Sequence, residues 1–292
     1  MRAPEFAVTD QPSEAEQMPK RSPEPGGISK ETASATVIIP TTAAADTASD
    51  EVSTLECERM TDLLRLVSGL GGSALDVGAG KGRLSSHLAQ QFDNVTALDL
   101  RKPDIRRPRI ACVEGDVTAL QFDEDTFDLV ACTEVLEHVP SDRLSQAVSE
   151  LVRVTRNHLL IGVPYRQDNR VGRTTCSSCG AYNPPWGHVN VFDEDRLHRH
   201  FTGLVVEKTS FVGMNHDSTN FLSTYLMDLA GNPYGTYEQG ELCVRCGGSV
   251  GTPGPMSLRK KLLTKAAFWA RGGTAPFHRA RPNWIHLLIR KV

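Results

Sequence analysis

ALDVGAGKGRLS, residues 74–85, decides the fold. An apolar run ends in an acid, Asp76, and glycines follow at every second position, Gly78, Gly80 and Gly82. Glycine is used where backbone takes positive φ or approaches a neighbour closely. GRLSSHLAQQF then continues at helical spacing, so the stretch reads as strand, turn and helix N-terminus, a cradle of backbone N–H groups. The phosphate loop needs GxxxxGK followed by Ser or Thr, and Lys81-Gly82-Arg83 fails that spacing. GxGxxG fails by one position, because the third glycine comes early. Two readings stay open at this point: a nucleoside whose cationic tail favours Asp76, such as S-adenosylmethionine, and a tight turn that holds nothing.

Outward from the turn, apolar runs alternate with helical patterns. Leu55, Met60, Leu63, Leu64 and Val67 predict a helix before it. NVTALDL, RIACVEGD, FDLVACTE and HLLIGVPY follow as strands, and DRLSQAVSELVRV is the clearest helix between them. That alternation implies right-handed βαβ units and a parallel sheet. TGLVVEKTSF and NWIHLLIRK are two more strands, separated by a stretch too long for a simple loop.

The strand tips narrow the choice of ligand. Asp99 ends the second strand, where a carboxylate takes both ribose hydroxyls of an adenosine. Asp116 ends the third, where it can accept from an adenine amino group. Carboxylates on three successive strand tips face one crevice, where open α/β sheets bind ligands. With ALDVGAGKGRLS, VTALDL, EGDVTALQFDEDTFDLVACTEVLEHV and LLIGVPY together, the chain resembles the class I S-adenosylmethionine-dependent methyltransferases over roughly residues 51–164. The resemblance implies a Rossmann-like, doubly wound α/β fold of seven mostly parallel strands, with NWIHLLIRK as the antiparallel one. It implies that Asp76, Gly78, Ala79, Gly80 and Gly82 line the methionine end and that Asp99, with Leu100 beside it, binds ribose. It places Asp116 and Val117 at adenine and Thr133 at the pocket floor.

TEVLEHV raises a second question. On a helix beginning after the fourth strand, Glu134, Glu137 and His138 would share one face. His188 in GHVNVF would be a fourth ligand for a divalent metal such as Mg or Mn. This set resembles the metal-dependent small-RNA 2′-O-methyltransferases, whose ExxEH is joined by a later His. The alternative is a loop brace at Glu137 and a buried histidine at His138, with His138 or His188 serving as general base. Imidazole in the set favours Mn, Co, Ni, Fe or Zn over Mg. His138, His188 and Glu134 are the candidate catalytic residues.

CSSCG (Cys176, Cys179) and CVRCG (Cys243, Cys246) share one form. Two such turns give a closed Cys₄ structural zinc site, and two unrelated reduced pairs are the alternative. His188 comes nine residues after Cys179, so the zinc insertion would also position that histidine. Cys57, Cys112 and Cys132 read as small buried apolar residues.

Residues 1–50, rich in Pro, Ser, Thr and Glu, read as a disordered tail, with VIIP at 37–40 a short apolar exception. The expected divisions are 51–212, a core with the first knuckle; 213–283, an insertion with the second knuckle and a basic helix; and 284–292, the last strand. From Gly251 onward there are nine Lys or Arg and no Asp or Glu. SLRKKLLTKAAFWARGG predicts a helix with Leu258, Leu262, Ala266 and Trp269 on one face and Arg259, Lys260, Lys261 and Lys265 on the other. It either packs on the domain or meets an anionic membrane surface, phosphorylated acceptor or nucleic acid. A net charge of −3 weighs against nucleic acid as a general partner. The absence of a leader pattern or long apolar run predicts a cytoplasmic protein. The expected activity is O-methylation of a hydroxyl with a neighbouring oxygen on a saccharide, glycolipid or glycosylated small molecule, because a vicinal diol fits two-point metal chelation. The CxxCG…GHV pattern also resembles methyltransferases of saccharide biosynthesis. An RNA 2′-O-methyltransferase and a non-catalytic cofactor-binding scaffold are the alternatives.

Overall fold

Alternation along two central strands sets the layers in the computed structural model, which describes residues 53–237 and 242–292. In β1 (Ser73–Val77), Ala74 enters one apolar cluster while Leu75 and Val77 enter another. In β4 (Phe127–Thr133), Leu129 and Ala131 join the first cluster, and Val130 and Cys132 the second. A sheet buried on both faces in this way must be covered by helices on both. On one side, α1 (Thr54–Leu66) buries Met60, Leu63 and Leu66, and α2 (Arg83–Leu88) buries Leu84 and Leu88. On the other, α3 (Leu144–Val154) buries Leu144, Ala147, Val148, Leu151 and Val154, the i, i+3, i+4 spacing of a helix face. Each such aliphatic side chain contributes about 1.5–3 kcal/mol on burial.

The remaining strands are β2 (Asn94–Asp99), β3 (Ile110–Glu114), β5 (Thr155–Pro164), β6 (Thr174–Thr175), β7 (Tyr182–Asn183), β8 (Val205–Val212) and β9 (Trp284–Arg290). The main sheet has seven strands in the order β3-β2-β1-β4-β5-β9-β8. Pairings from β3 to β5 are parallel, and β9 runs antiparallel to both β5 and β8. Strand order reverses between β1 and β4, which opens a crevice at their C-terminal ends. This is the Rossmann-like, mostly parallel sheet expected from the sequence.

The insertion grows from two places. The β6–β7 hairpin carries the first cysteine knuckle, between β5 and α4 (Glu194–His200). The second knuckle lies between α5 (Phe221–Leu229) and α6 (Leu258–Thr274). No helix among the described residues is long and apolar enough to cross a membrane. The readings of residues 1–50 and of VIIP lie outside the described residues.

Three expectations are corrected or narrowed. TEVLEHV forms no helix: Glu134 takes φ 57 and residues 136–138 make a turn. Glu134 N still donates to Gly162 O at 2.9 Å, so strand pairing runs on past Thr133. Pro140 then biases Val139 away from the α conformation, leaving too few residues for a helix. In α6 the apolar face is not the packed one: Thr264 and Ala267 are buried, while Leu258, Leu262 and Trp269 face outward. Of the three remaining cysteines Cys132 is buried, but Cys112 is half-buried and Cys57 is exposed on α1.

Candidate active site

A cavity of about 430 Å³ occupies the crevice, walled by Gly78, Leu98, Asp99, Leu100, Asp116 and Val117 from the tips of β1, β2 and β3. Gly78 takes φ 77, and a Cβ there would stand 2.2 Å from Val135 Cγ2, so only glycine fits. Asp99 Oδ2 accepts from Gly80 N at 2.9 Å, tying the second strand tip to the glycine turn. Asp116 Oδ1 accepts from both the backbone N–H and hydroxyl of Thr118 at 2.8 Å, and the backbone bond holds its carboxyl below the usual range.

Asp76, Ala79, Gly80, Gly82 and Thr133 stand behind this lining. Asp76 is buried under the turn, where Oδ2 accepts from Ser85 Oγ at 2.5 Å. Burial pushes its carboxyl up to about 6, against the pull of that hydrogen bond. The structure thus gives Asp76 a bracing task, joining β1 to α2. Thr133 pairs with Gly162 in the sheet, and Glu134 and Val135 take the place expected of it at the cavity wall.

A second cavity, about 590 Å³, opens on the insertion side. Aromatic rings of Tyr165, Trp186 and Trp284 line it, with Gln167, Asp168, Asn215, Asp217 and Asn283 as polar groups. It shares two residues with the first, Glu134 and His138. Trp284 Nε1 donates to Glu134 Oε2 at 3.0 Å, and Arg59 lies over the Trp284 ring at 5.6 Å.

At this junction potential ligand atoms of Glu137, His138 and His188 all fall within 4.8 Å of one another. Glu134 is outside that group, so the structure gathers three of the four residues foreseen. The His138 and His188 rings meet edge to face, centroids 4.6 Å apart. His188 Nδ1 stands 2.6 Å from Gln167 Oε1, an acceptor, so Nδ1 carries the proton and Nε2 keeps its lone pair. Burial, with the His138 ring, pushes His188 down to about 4, so it is neutral at pH 7. Asn190 fixes the turn that bears Glu137, donating to Leu136 O and Val139 O at 2.9 and 2.7 Å.

The carboxylates here are under-satisfied. Glu134 Oε1 and both oxygens of Glu137 are buried with no hydrogen-bond partner among the described residues. Burial raises both carboxyls, and Glu137 is raised further by Glu134. An unpaired buried carboxylate is costly, and a cation removes that cost. The set of one carboxylate and two imidazoles therefore fits a divalent metal.

The four knuckle cysteines also converge. Cys176 Sγ and Cys246 Sγ are 3.8 Å apart, Cys179 Sγ and Cys243 Sγ 3.7 Å, and all four sulfurs lie within 4.8 Å of one another. Four sulfurs ~2.3 Å from a shared centre in tetrahedral array stand ~3.8 Å apart. Backbone N–H groups of Cys246 and Arg245 pull the Cys243 thiol down to about 6 against its desolvation, favouring the thiolate a metal needs.

Sequence reasoning missed Gln167, Asn190, Arg59 and Trp284. They come from distant segments with no shared spacing, and only the nearness of Asn190 to His188 in GHVNVF was a signal.

The family model for a methyltransferase domain matches residues 75–160. That span holds the glycine turn, Asp99, Asp116, Glu134, Glu137 and His138, and it leaves out the knuckles and His188. Residues 75–160 thus match a methyltransferase domain. A ubiquinone biosynthesis O-methyltransferase of Xylella fastidiosa is 39% identical over 92 residues, 28% of this chain and 37% of that protein. One of Cronobacter sakazakii is 36% identical over 95 residues, 28% and 39%. The chain thus spans well under half the length of these curated relatives. A solved N-methyltransferase of Bradyrhizobium japonicum is 16% identical with a TM-score of 0.47, covering 81% of this chain and 96% of that one.

Proposed function

We propose that the protein transfers a methyl group from S-adenosylmethionine to a hydroxyl of a saccharide, glycolipid or glycosylated small molecule. The observation that carries this is the meeting of two cavities, one at the three strand tips and one in the insertion, at Glu134 and His138. The donor would occupy the first, with Asp99 toward ribose and Asp116 toward adenine. The acceptor would occupy the second, where aromatic faces pack on sugar rings and planar amides and carboxylates take their hydroxyls. The relatives' names, O-methyltransferases, support oxygen as the receiving atom.

In the reaction the acceptor oxygen forms a bond to the methyl carbon as the carbon–sulfur bond breaks, its electrons passing to the sulfonium. S-adenosylhomocysteine leaves neutral at sulfur, and the hydroxyl proton must be removed. Glu137, His138 and His188 would hold a divalent metal, which supplies a lowered hydroxyl pKa and two-point binding of neighbouring oxygens. Gln167 holds His188 in the tautomer with Nε2 facing outward from that bond, and a neutral Nε2 can accept the proton where no metal takes it. The four cysteines would hold zinc with no open position, fixing the insertion and with it the acceptor wall.

The RNA alternative meets a wall with no surplus of cations: it holds Glu134, Asp168, Asp217 and Arg281, and Arg170 and Arg271 are already paired with the two aspartates. A polyanion gains little there. The test is methyl transfer from labelled S-adenosylmethionine to oligosaccharides, glycolipids and RNA in parallel, with and without chelator. Label in the saccharide fraction supports the proposal. Label in RNA alone, or none in any fraction from protein that binds S-adenosylhomocysteine, overturns it.

A further inference from the structure

Helix α6 is held in place by the wrong side for an ordinary surface helix. Its N-terminus is capped by Ser257, which accepts from Lys260 N. Its C-terminal part is held by Asn220 Nδ2, which donates to Ala270 O and Thr274 Oγ1, both at 2.8 Å. The packed residues are small, Thr264 and Ala267. At 100° per residue these lie opposite Leu258, Leu262 and Trp269, which fall within one 40° arc. Those three side chains are 74%, 61% and 75% exposed, along ~16 Å of helix.

The flanks of the arc are basic. Lys261 and Lys265 fall on one side of it and Arg259 on the other. None of them makes a salt bridge among the described residues, whereas Arg271, Arg290 and Lys291, from the same acid-free C-terminal stretch, pair with Asp217, Glu207 and Asp125. An apolar strip with a tryptophan, edged by unpaired lysine and arginine, is the pattern of a helix lying in a lipid interface. Long basic side chains reach up to phosphates while their stems stay on apolar surface.

We propose that α6 docks the protein on an anionic lipid surface. Leu258, Leu262 and Trp269 enter the boundary between headgroups and acyl chains, and Arg259, Lys261 and Lys265 meet lipid phosphates. A second copy of the chain is a poor occupant, because apposed α6 helices would bring these cations together with no acid from Gly251 onward. Nucleic acid is a poorer one, since its phosphates would meet the cations but leave Leu258 and Leu262 in water. The inference rests on α6 and does not depend on the proposed acceptor.

The full chain is sedimented with phosphatidylcholine vesicles with and without phosphatidylglycerol. Binding should require the anionic lipid and weaken as salt is raised. Lys261→Gln with Lys265→Gln should weaken it on the order of tenfold, as each basic residue near the surface carries several-fold of the affinity. Leu262→Ser with Trp269→Ser should abolish it and remove the blue shift of tryptophan emission. The thermal shift given by S-adenosylhomocysteine should be unchanged in both variants, which reports the fold. The proposal is overturned by no binding to anionic vesicles, by equal binding to neutral ones, by a dimer that Trp269→Ser disperses, or by RNA competing the vesicles off.

Discussion

The strand-tip crevice and the insertion-side cavity share Glu134 and His138 but are assembled differently. The crevice is made of strand tips. Gly78, Asp99 and Asp116 end three neighbouring strands of one sheet, and backbone pairing alone brings them together. The insertion-side cavity draws on residues 164–171, 186–188, 215–217 and 281–284 besides the shared turn. Pro164 pairs with Trp284 in the sheet and Asn215 bridges to Arg281, while residues 186–188 reach the cavity on a loop between the first cysteine knuckle and α4. Under the proposed function, donor binding would belong to the sheet, and acceptor binding would depend on what fastens the insertion.

The largest expected effect breaks that contrast open. Cys243→Ser should lose tightly held zinc and with it at least a thousandfold of methyl transfer, because structural zinc contributes on the order of 10 kcal/mol to folding of the segments it joins. Affinity for S-adenosylhomocysteine, read by calorimetry, should stay within about threefold. Equal loss of both functions would show that the two regions are not separable. Next, Glu137→Gln should lower turnover by about 10²–10³ with donor affinity intact, consistent with loss of a metal ligand. The same variant should melt no lower than the parent without metal, since it removes an orphaned buried carboxylate.

Asp76 tests the crevice side through pH. Its folded pKa of about 6 lies above the ordinary aspartate value of about 3.9, so the folded state holds the proton longer than the unfolded one. Asp76 is therefore neutral in both states below about pH 3 and costs stability increasingly as pH rises toward 6. Asp76→Asn should match the parent near pH 3 and exceed it by up to about 3 kcal/mol above pH 6 in denaturant melts. A difference that is constant with pH would contradict the buried acid. The smallest effect is expected from Asp99→Ala, which should raise the KM for S-adenosylmethionine about ten- to thirtyfold and leave kcat at saturation nearly unchanged, as loss of a charged hydrogen bond to ribose would do.

The same contrast explains what could be read from the residues. The strand tips were legible because a glycine turn and three strand-end acids sit at fixed places in a repeating βαβ pattern. The cysteine pairs were legible as motifs, and the long gap between them did not hide their convergence. Spacing alone misplaced one feature and left another open. ExxEH suggested a helix face, yet Pro140 and the continued pairing of Glu134 make it a turn, and the turn still brings Glu137 and His138 toward His188. The apolar stripe of α6 left open whether it packs on the domain or meets a partner, and Thr264 and Ala267 are the residues that pack, because close helix contact favours small residues. Gln167, Asn190, Arg59 and Trp284 were invisible, since their roles come from contacts between distant segments.

The most direct test is a crystal of the protein grown with S-adenosylhomocysteine and soaked with Mn²⁺, with anomalous scattering recorded at the manganese edge. The account predicts the nucleoside between Asp99 and Asp116, and a manganese peak bounded by Glu137, His138 and His188 beside its sulfur. A nucleoside seated elsewhere, or a filled crevice with no peak at those three side chains, would contradict it.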